Sequence, residues 1–207
     1  MGSKERRQRE CAETRQRILD AARDLFVQCG YETTTMRAVA DRIEFTPTAI
    51  YHHFRNKEAL LRELCVADFG PFVEAFQRIG RIEDPVERLE RIGAAYVDFA
   101  LENPMQYRFL FMTERPGTIP DHEAGGGEPP ETVYAFLRDT CAEAIAGGYF
   151  SPEYDDPDEV AQMLWGAMHG LVSIHIAGCG RDSIDLRDVR ATAARLRETI
   201  RRGMLPR

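Results

Sequence analysis

Apolar residues recur along most of this 207-residue chain at spacings of three and four, and no stretch alternates with period two, so the pattern predicts an all-α fold. The first helix is expected from about Glu13 to Cys29, with Ile18, Ala22, Leu25 and Phe26 as its apolar stripe and Gly30 as its stop. A second runs from Met36 to Ile43 behind a Thr35 cap and buries Met36, Val39, Ala40 and Ile43. Thr46-Pro47 is a cap and first-turn pair that opens a third helix, with Ile50 and Phe54 turned inward. Asn56 caps a long fourth helix from Lys57 that carries Leu60, Leu61, Leu64, Phe69, Phe72 and Phe76, and Pro71 inside it is expected to kink or divide it. Asp84-Pro85-Val86-Glu87 and Asp156-Pro157-Asp158-Glu159 each combine a capping oxygen, a proline at N1 and an acid at N3. Helices are further expected at about 85–102, from Asn103-Pro104 over 104–113, then at 131–148, 157–178 and 185–202, about nine in all. Between them Arg115–Pro130, rich in Gly and Pro, reads as a mobile loop.

Composition alters this picture in one respect. Hydrophobic content of 43% and charged content of 29% are those of an ordinary globular chain, and the apolar runs read as too short to cross a bilayer, so no membrane partner is expected. The net charge of −7, however, is unevenly spread. Residues 1–57 hold 11 Lys and Arg against 8 Asp and Glu, a net of +3, and the other 150 residues carry −10. Two modules with different partners fit that asymmetry: residues 1–57 for an anionic partner and 58–207 for another task. The five cysteines (Cys11, Cys29, Cys65, Cys141, Cys179) form no CxxC or metal spacing, which points to a reduced, cytoplasmic chain without cofactor or structural metal.

The chemistry lies between Thr33 and Lys57. A seven- or eight-residue helix cannot hide Tyr51, His52 and His53 together, and such a row beside Arg37 and Lys57 suits DNA phosphates. The two short helices have helix-turn-helix proportions, and Thr46, Pro47 and Thr48 stand at the N-terminal end of the second, where side chains reach base edges. Arg37 can pair with a guanine or hold a phosphate. Arg6, Arg7 and Arg9 read either as an arm along the DNA or as a solvated tail.

The order T-T-M-R-x-V-A, a turn, P-T-A-I-Y-H-H-F and N-K-E-A-L-L, with R-I-L-D-A-A-R-D-L-F before it, resembles the DNA-binding domain of TetR-family transcriptional regulators over about residues 13–64. The resemblance implies DNA contacts at Arg37, Thr48, Tyr51, His52 and Lys57. One departure stands in the turn, where many members have glycine-valine and this chain has Glu44-Phe45. The family also implies a near-palindromic double-stranded operator, a homodimer, and release by a small-molecule effector.

The remaining residues are rich in aromatics and methionine, and Phe72, Phe76, Tyr96, Phe99, Tyr107, Phe111, Met168 and His169 are candidate linings for an apolar or aromatic ligand. Trp165-Gly166-Ala167-Met168-His169-Gly170 resembles the Trp-His-Gly type of C-terminal domain in one subgroup of that family. Glycines at 166 and 170 inside a helix imply close approach by another helix, either a twofold-related copy through helices 157–178 and 185–202 or a neighbour in the same chain. His175 and Cys179, with His169 near, are too few for a metal site, and no recognisable nucleophile or acid–base pair assigns catalytic residues. The expected function is a sequence-specific transcriptional regulator, most simply a repressor; the alternative is a carrier or enzyme on a helical bundle.

Overall fold

The computed structural model describes residues 3–114, 129–178 and 184–206, and among them all regular structure is helical. Nine α-helices occur in order: α1 Ser3–Cys29, α2 Met36–Arg42, α3 Pro47–Tyr51, α4 Lys57–Ile79, α5 Pro85–Glu102, α6 Pro104–Tyr107, α7 Pro129–Ala146, α8 Pro157–Ala177 and α9 Val189–Met204. Backbone of π-helical form, Arg108–Met112, continues α6. Most of Arg115–Pro130, and Cys179, lie outside the described residues.

The expected starts hold where local capping chemistry sets them. Thr35 accepts from the Ala38 N–H at 3.1 Å, Thr46 from Ala49 at 3.3 Å and Asn56 from Ala59 at 2.8 Å. Asp84 and Asp156 each accept from two first-turn amides ahead of their prolines. Three elements carry the instructive differences. Helix α1 begins at Ser3, ten residues before the expected start, because the polar stretch 3–12 offers no apolar period to read. Helix α9 begins at Val189, where the Asp188 carboxylate accepts from Ala191 at 2.7 Å, rather than at 185. Pro71 sits within α4 without dividing it.

The chain forms two compact units, Met1–Asp68 with Met105–Ala124, and Phe69–Pro104 with Gly125–Arg207. In the first, α1 packs on α2 and on the π-helical stretch, and α2 packs on α3. Its core holds Ile18, Phe26, Val39, Ile50, Phe54, Leu60 and Leu64, with Phe109 stacked on Phe26 at 6.0 Å between ring centroids. In the second, α5 packs against α7, α8 and α9, and α8 against α7 and α9. Phe72 lies at its centre, with ring centroids 4.5 Å from Phe76, 6.0 Å from Tyr96 and 4.9 Å from Phe99.

Helix α8 corrects the expectation that every apolar run is too short to span a bilayer. It has 21 residues and is apolar enough by length and composition alone. Val160, Ala161, Met168, Val172 and Ile176 give one face to the core, while Met163, Trp165 and Ile174 stand exposed on its other sides.

A candidate nucleic-acid interface

Helix α3 is held by what it buries and by what grips its flanks. Ile50 is fully buried, and Thr46 and Pro47 set the entry of the chain. Before α3, an Arg17 N–H donates to the Ile43 carbonyl at 3.3 Å, and the guanidinium lies 5.0 Å over the Phe45 ring. After it, an Arg15 N–H donates to the His53 carbonyl at 2.8 Å, while the same guanidinium pairs with Glu63 on α4 and lies over the Phe54 ring. Through its carbonyl, His53 is the point where α1 holds the end of α3. Nothing in the spacing announces that contact, because it joins residues 38 apart.

The turn before α3 takes the shape that glycine usually provides. Glu44 has φ of 59°, in the left-handed region, and is the one described non-glycine residue there. The Phe45 amide closes the turn on the Ala40 carbonyl at 2.9 Å, so the turn forms with glutamate despite a steric cost of about 1–2 kcal/mol.

With the turn and both flanks fixed, the polar residues of this segment project outward. Thr46, Pro47, Thr48 and His52 are exposed, Tyr51 is 54% exposed, and His53 is half-buried. Arg37 is exposed on α2, in a loose pair with Asp41 at 3.9 Å. Six of the seven candidate DNA contacts therefore stand at the surface of one unit.

Lys57 departs from the expectation. Its ammonium donates to the carbonyls of Tyr31, Thr34 and Glu32 at 2.9, 3.0 and 3.3 Å, and it lies 4.1 Å over the Tyr31 ring. All three N–H donors are thus engaged by the connection between α1 and α2, because the Gly30–Thr34 turn points its carbonyls at the start of α4. The charge fastens that connection rather than standing free for a phosphate.

Deeper in the same unit Arg23 and Asp68 form a bidentate ion pair at 2.6 and 2.7 Å between α1 and α4, with both side chains almost wholly buried. Burial works against the Arg23 charge, but its bonds to Asp68 and Asp20 prevail and hold its pKa above the ordinary value.

The eight candidate ligand-lining residues do not fall together. Phe72, Phe76, Tyr96, Phe99, Met168 and His169 belong to the C-terminal unit. Tyr107 and Phe111, ring centroids 5.1 Å apart, belong to the N-terminal one, because the segment after Pro104 packs on α1. Around Tyr96 the aromatic core acquires polar partners. Its hydroxyl accepts from the Trp165 indole N–H at 3.2 Å and lies 3.0 Å from His169 Nδ1. Burial lowers the pKa of His169, which favours the neutral ring beside the tyrosine hydroxyl. A Cβ at Gly166 or Gly170 would meet no atom within 4 Å among the described residues.

A sequence model described as bacterial regulatory proteins, tetR family, matches residues 18–64, and one described as tetracyclin repressor-like, C-terminal domain, matches residues 89–200. The HTH-type transcriptional regulator UidR of Escherichia coli (strain K12) is 31% identical over 156 residues, 70% of this chain and 74% of UidR. Among solved structures, the fatty acid degradation regulator FadR from Bacillus halodurans superposes with a TM-score of 0.69 at 20% identity, covering 93% of this chain and 97% of FadR. AibR in complex with isovaleryl coenzyme A and operator DNA has a TM-score of 0.65 at 22% identity, covering 93% of this chain and 98% of AibR. An all-helical chain with a helix-turn-helix unit and these matches defines a DNA-binding transcriptional regulator. The chain belongs to the TetR family of bacterial regulatory proteins.

Proposed function

We propose that this regulator is a cytoplasmic repressor that binds a near-palindromic duplex operator as a homodimer and leaves it when a small apolar or aromatic molecule binds the C-terminal unit. The observation that carries the DNA side is the outward row on a pinned α3: Thr46, Pro47 and Thr48 for base edges, Tyr51 and His52 for phosphates, with Arg37 beside them from α2. Lys57 takes a supporting part and holds the α1–α2 connection on which Arg37 depends.

The exposed side of α8 supports the homodimer. Gly166 and Gly170 leave open space, and Met163 and Ile174 are 44% and 48% exposed. A twofold-related α8, with α9 beside it, would bury that surface and bring backbones close at the glycines. Two α3 helices then enter successive major grooves at a spacing set by the dimer. An effector releases DNA by binding more tightly to a conformation with a different spacing. Phe72, Phe76, Tyr96, Phe99, Met168 and His169 are the residues proposed to meet it.

A mobility shift against the chain's own upstream DNA, with and without a panel of apolar and aromatic compounds, tests the reading. Isovaleryl coenzyme A, which AibR holds, belongs in that panel. The expected result is a salt-sensitive, sequence-specific shift that one class of compound reverses. Binding of a compound with no specific shift on any duplex points instead to a carrier or enzyme.

A further inference from the structure

The first three turns of α1 contribute nothing to the core of the N-terminal unit. Every residue from Lys4 to Glu13 is exposed, yet the helix continues through them. Ten residues of unpacked helix are marginal alone, so this stretch persists as an extension of the packed part of α1. At 1.5 Å per residue it reaches about 15 Å past the anchored region.

The packed part of α1 sets both the direction of this extension and the side chains it presents. Arg15 and Arg17 hold α1 to the residues on either side of α3, so the extension leaves the unit from beside the reading helix. The stripe that faces the core, Ile18 and Ala22, continues backward in steps of three and four as Thr14, Cys11, Arg7 and Lys4. The side of α1 that lies on the helix-turn-helix therefore turns from apolar to basic as it runs beyond it. Lys4 and Arg7 have no ion-pair partner among the described residues. Arg6 and Arg9 make only exposed pairs along the helix, with Glu10 at 3.5 Å and Glu13 at 3.8 Å. Such pairs are worth a few tenths of a kcal/mol and yield readily to a stronger anion.

We propose that residues 4–9 form a second DNA contact, a helical arm in which Lys4 and Arg7, supported by Arg6 and Arg9, bind backbone phosphates flanking each half-site. The arm rests on the DNA-binding reading above and adds affinity without base preference. Of the two possibilities the arginines leave open in the sequence, an arm along the DNA or a solvated tail, the proposal takes the first, as a charged helix that continues α1 from beside α3.

The test compares the full chain with its Lys4→Gln/Arg6→Gln/Arg7→Gln/Arg9→Gln variant, since glutamine keeps the helix while removing charge. The probes are a duplex selected by the wild type from a random pool and the same duplex trimmed to the bare half-sites. Dissociation constants are measured between 50 and 200 mM NaCl. Loss of about two phosphate contacts from each of the two arms of the dimer lowers the salt slope by ~3.6, so the affinity gap between the two proteins narrows about a hundredfold across that range. Trimming the flanks weakens the wild type more than the variant, and both retain the same base preference. Identical slopes, with both proteins binding the selected duplex, overturn the arm and leave the DNA reading intact. A wild type that selects no sequence overturns both. A variant that changes only its oligomeric state in sedimentation shows that the arm serves a second copy, and also overturns the proposal.

Discussion

Removing the Lys57 ammonium separates two roles that a single lysine at the start of α4 can have. In Lys57→Ala three hydrogen bonds from a charged donor are lost, at 2.9, 3.0 and 3.3 Å, together with the ring contact to Tyr31. A bond from a charged donor contributes about 1.5–3 kcal/mol when well placed. Lys57 is half-buried and water can replace part of the set, so a total near 2–3 kcal/mol is the reasonable expectation, with about 0.5–1 from the aromatic face. The chain's single tryptophan, Trp165, lies in the C-terminal unit, so its fluorescence does not follow this loss directly. Native-state hydrogen exchange does: the amides of Met36–Arg42 should lose about 2–3 kcal/mol of protection while those of α8 stay unchanged. In the same variant the salt dependence of DNA binding should keep its slope, because no phosphate contact has been removed. A slope lowered by about 1.8, one phosphate for each subunit of the dimer, with unaltered exchange in α2 would refute the clamp and return Lys57 to the DNA surface.

Glu44→Gly relieves left-handed strain of about 1–2 kcal/mol, offset in part by the freer unfolded chain, and should stabilise the N-terminal unit by roughly 0.5–1 kcal/mol in urea titrations followed by circular dichroism. His169 has a pKa below its ordinary value of 6.5 through burial, so the unfolded state takes up a proton first as pH falls. Its contribution to stability is therefore complete above about pH 7 and declines as pH drops from 6.5 toward the folded value, a slope that His169→Gln should flatten in tryptophan-monitored unfolding. Asp68→Asn leaves Arg23 buried beside a neutral partner and should cost about 3–5 kcal/mol; unaltered thermal stability would show that the pair is not what joins α1 to α4. A Cβ at Gly170 would meet no atom within 4 Å among the described residues, so the Gly170→Leu subunit should fold and should sediment as a monomer; a dimer of wild-type affinity would remove α8 from the interface.

What the sequence made legible was local. Thr35, Thr46, Asn56, Asp84 and Asp156 were readable as helix starts because a cap needs only a side-chain oxygen two or three residues before the amide it meets. The exposure of Tyr51 and His52 was readable because one short helix cannot bury a continuous row. Contacts between distant residues were not readable. The carbonyls that receive Lys57 lie 23–26 residues before it, and no periodicity signals that a turn will aim them at one ammonium. Glu44 marked a departure from glycine, but only the backbone showed that the residue adopts glycine's conformation. In the C-terminal part, composition offered aromatic rings as candidate ligand linings and could not say which of them share a unit. Tyr107 and Phe111 were grouped with Phe72 by residue type, although the segment carrying them packs on α1.

That packing also decides where the chain can be cut and rejoined. Phe109 is fully buried and stacks on the equally buried Phe26. A fragment ending at Asp68 would leave Phe26 without this cover, with about 1.5–3 kcal/mol of apolar burial lost for each large side chain exposed. A chimeric regulator that borrows this reading head should therefore carry two grafts, the residues through Asp68 and the stretch Met105–Met112. A single crossover inside α4 would transplant the residues proposed to touch DNA and leave behind part of the floor on which they stand.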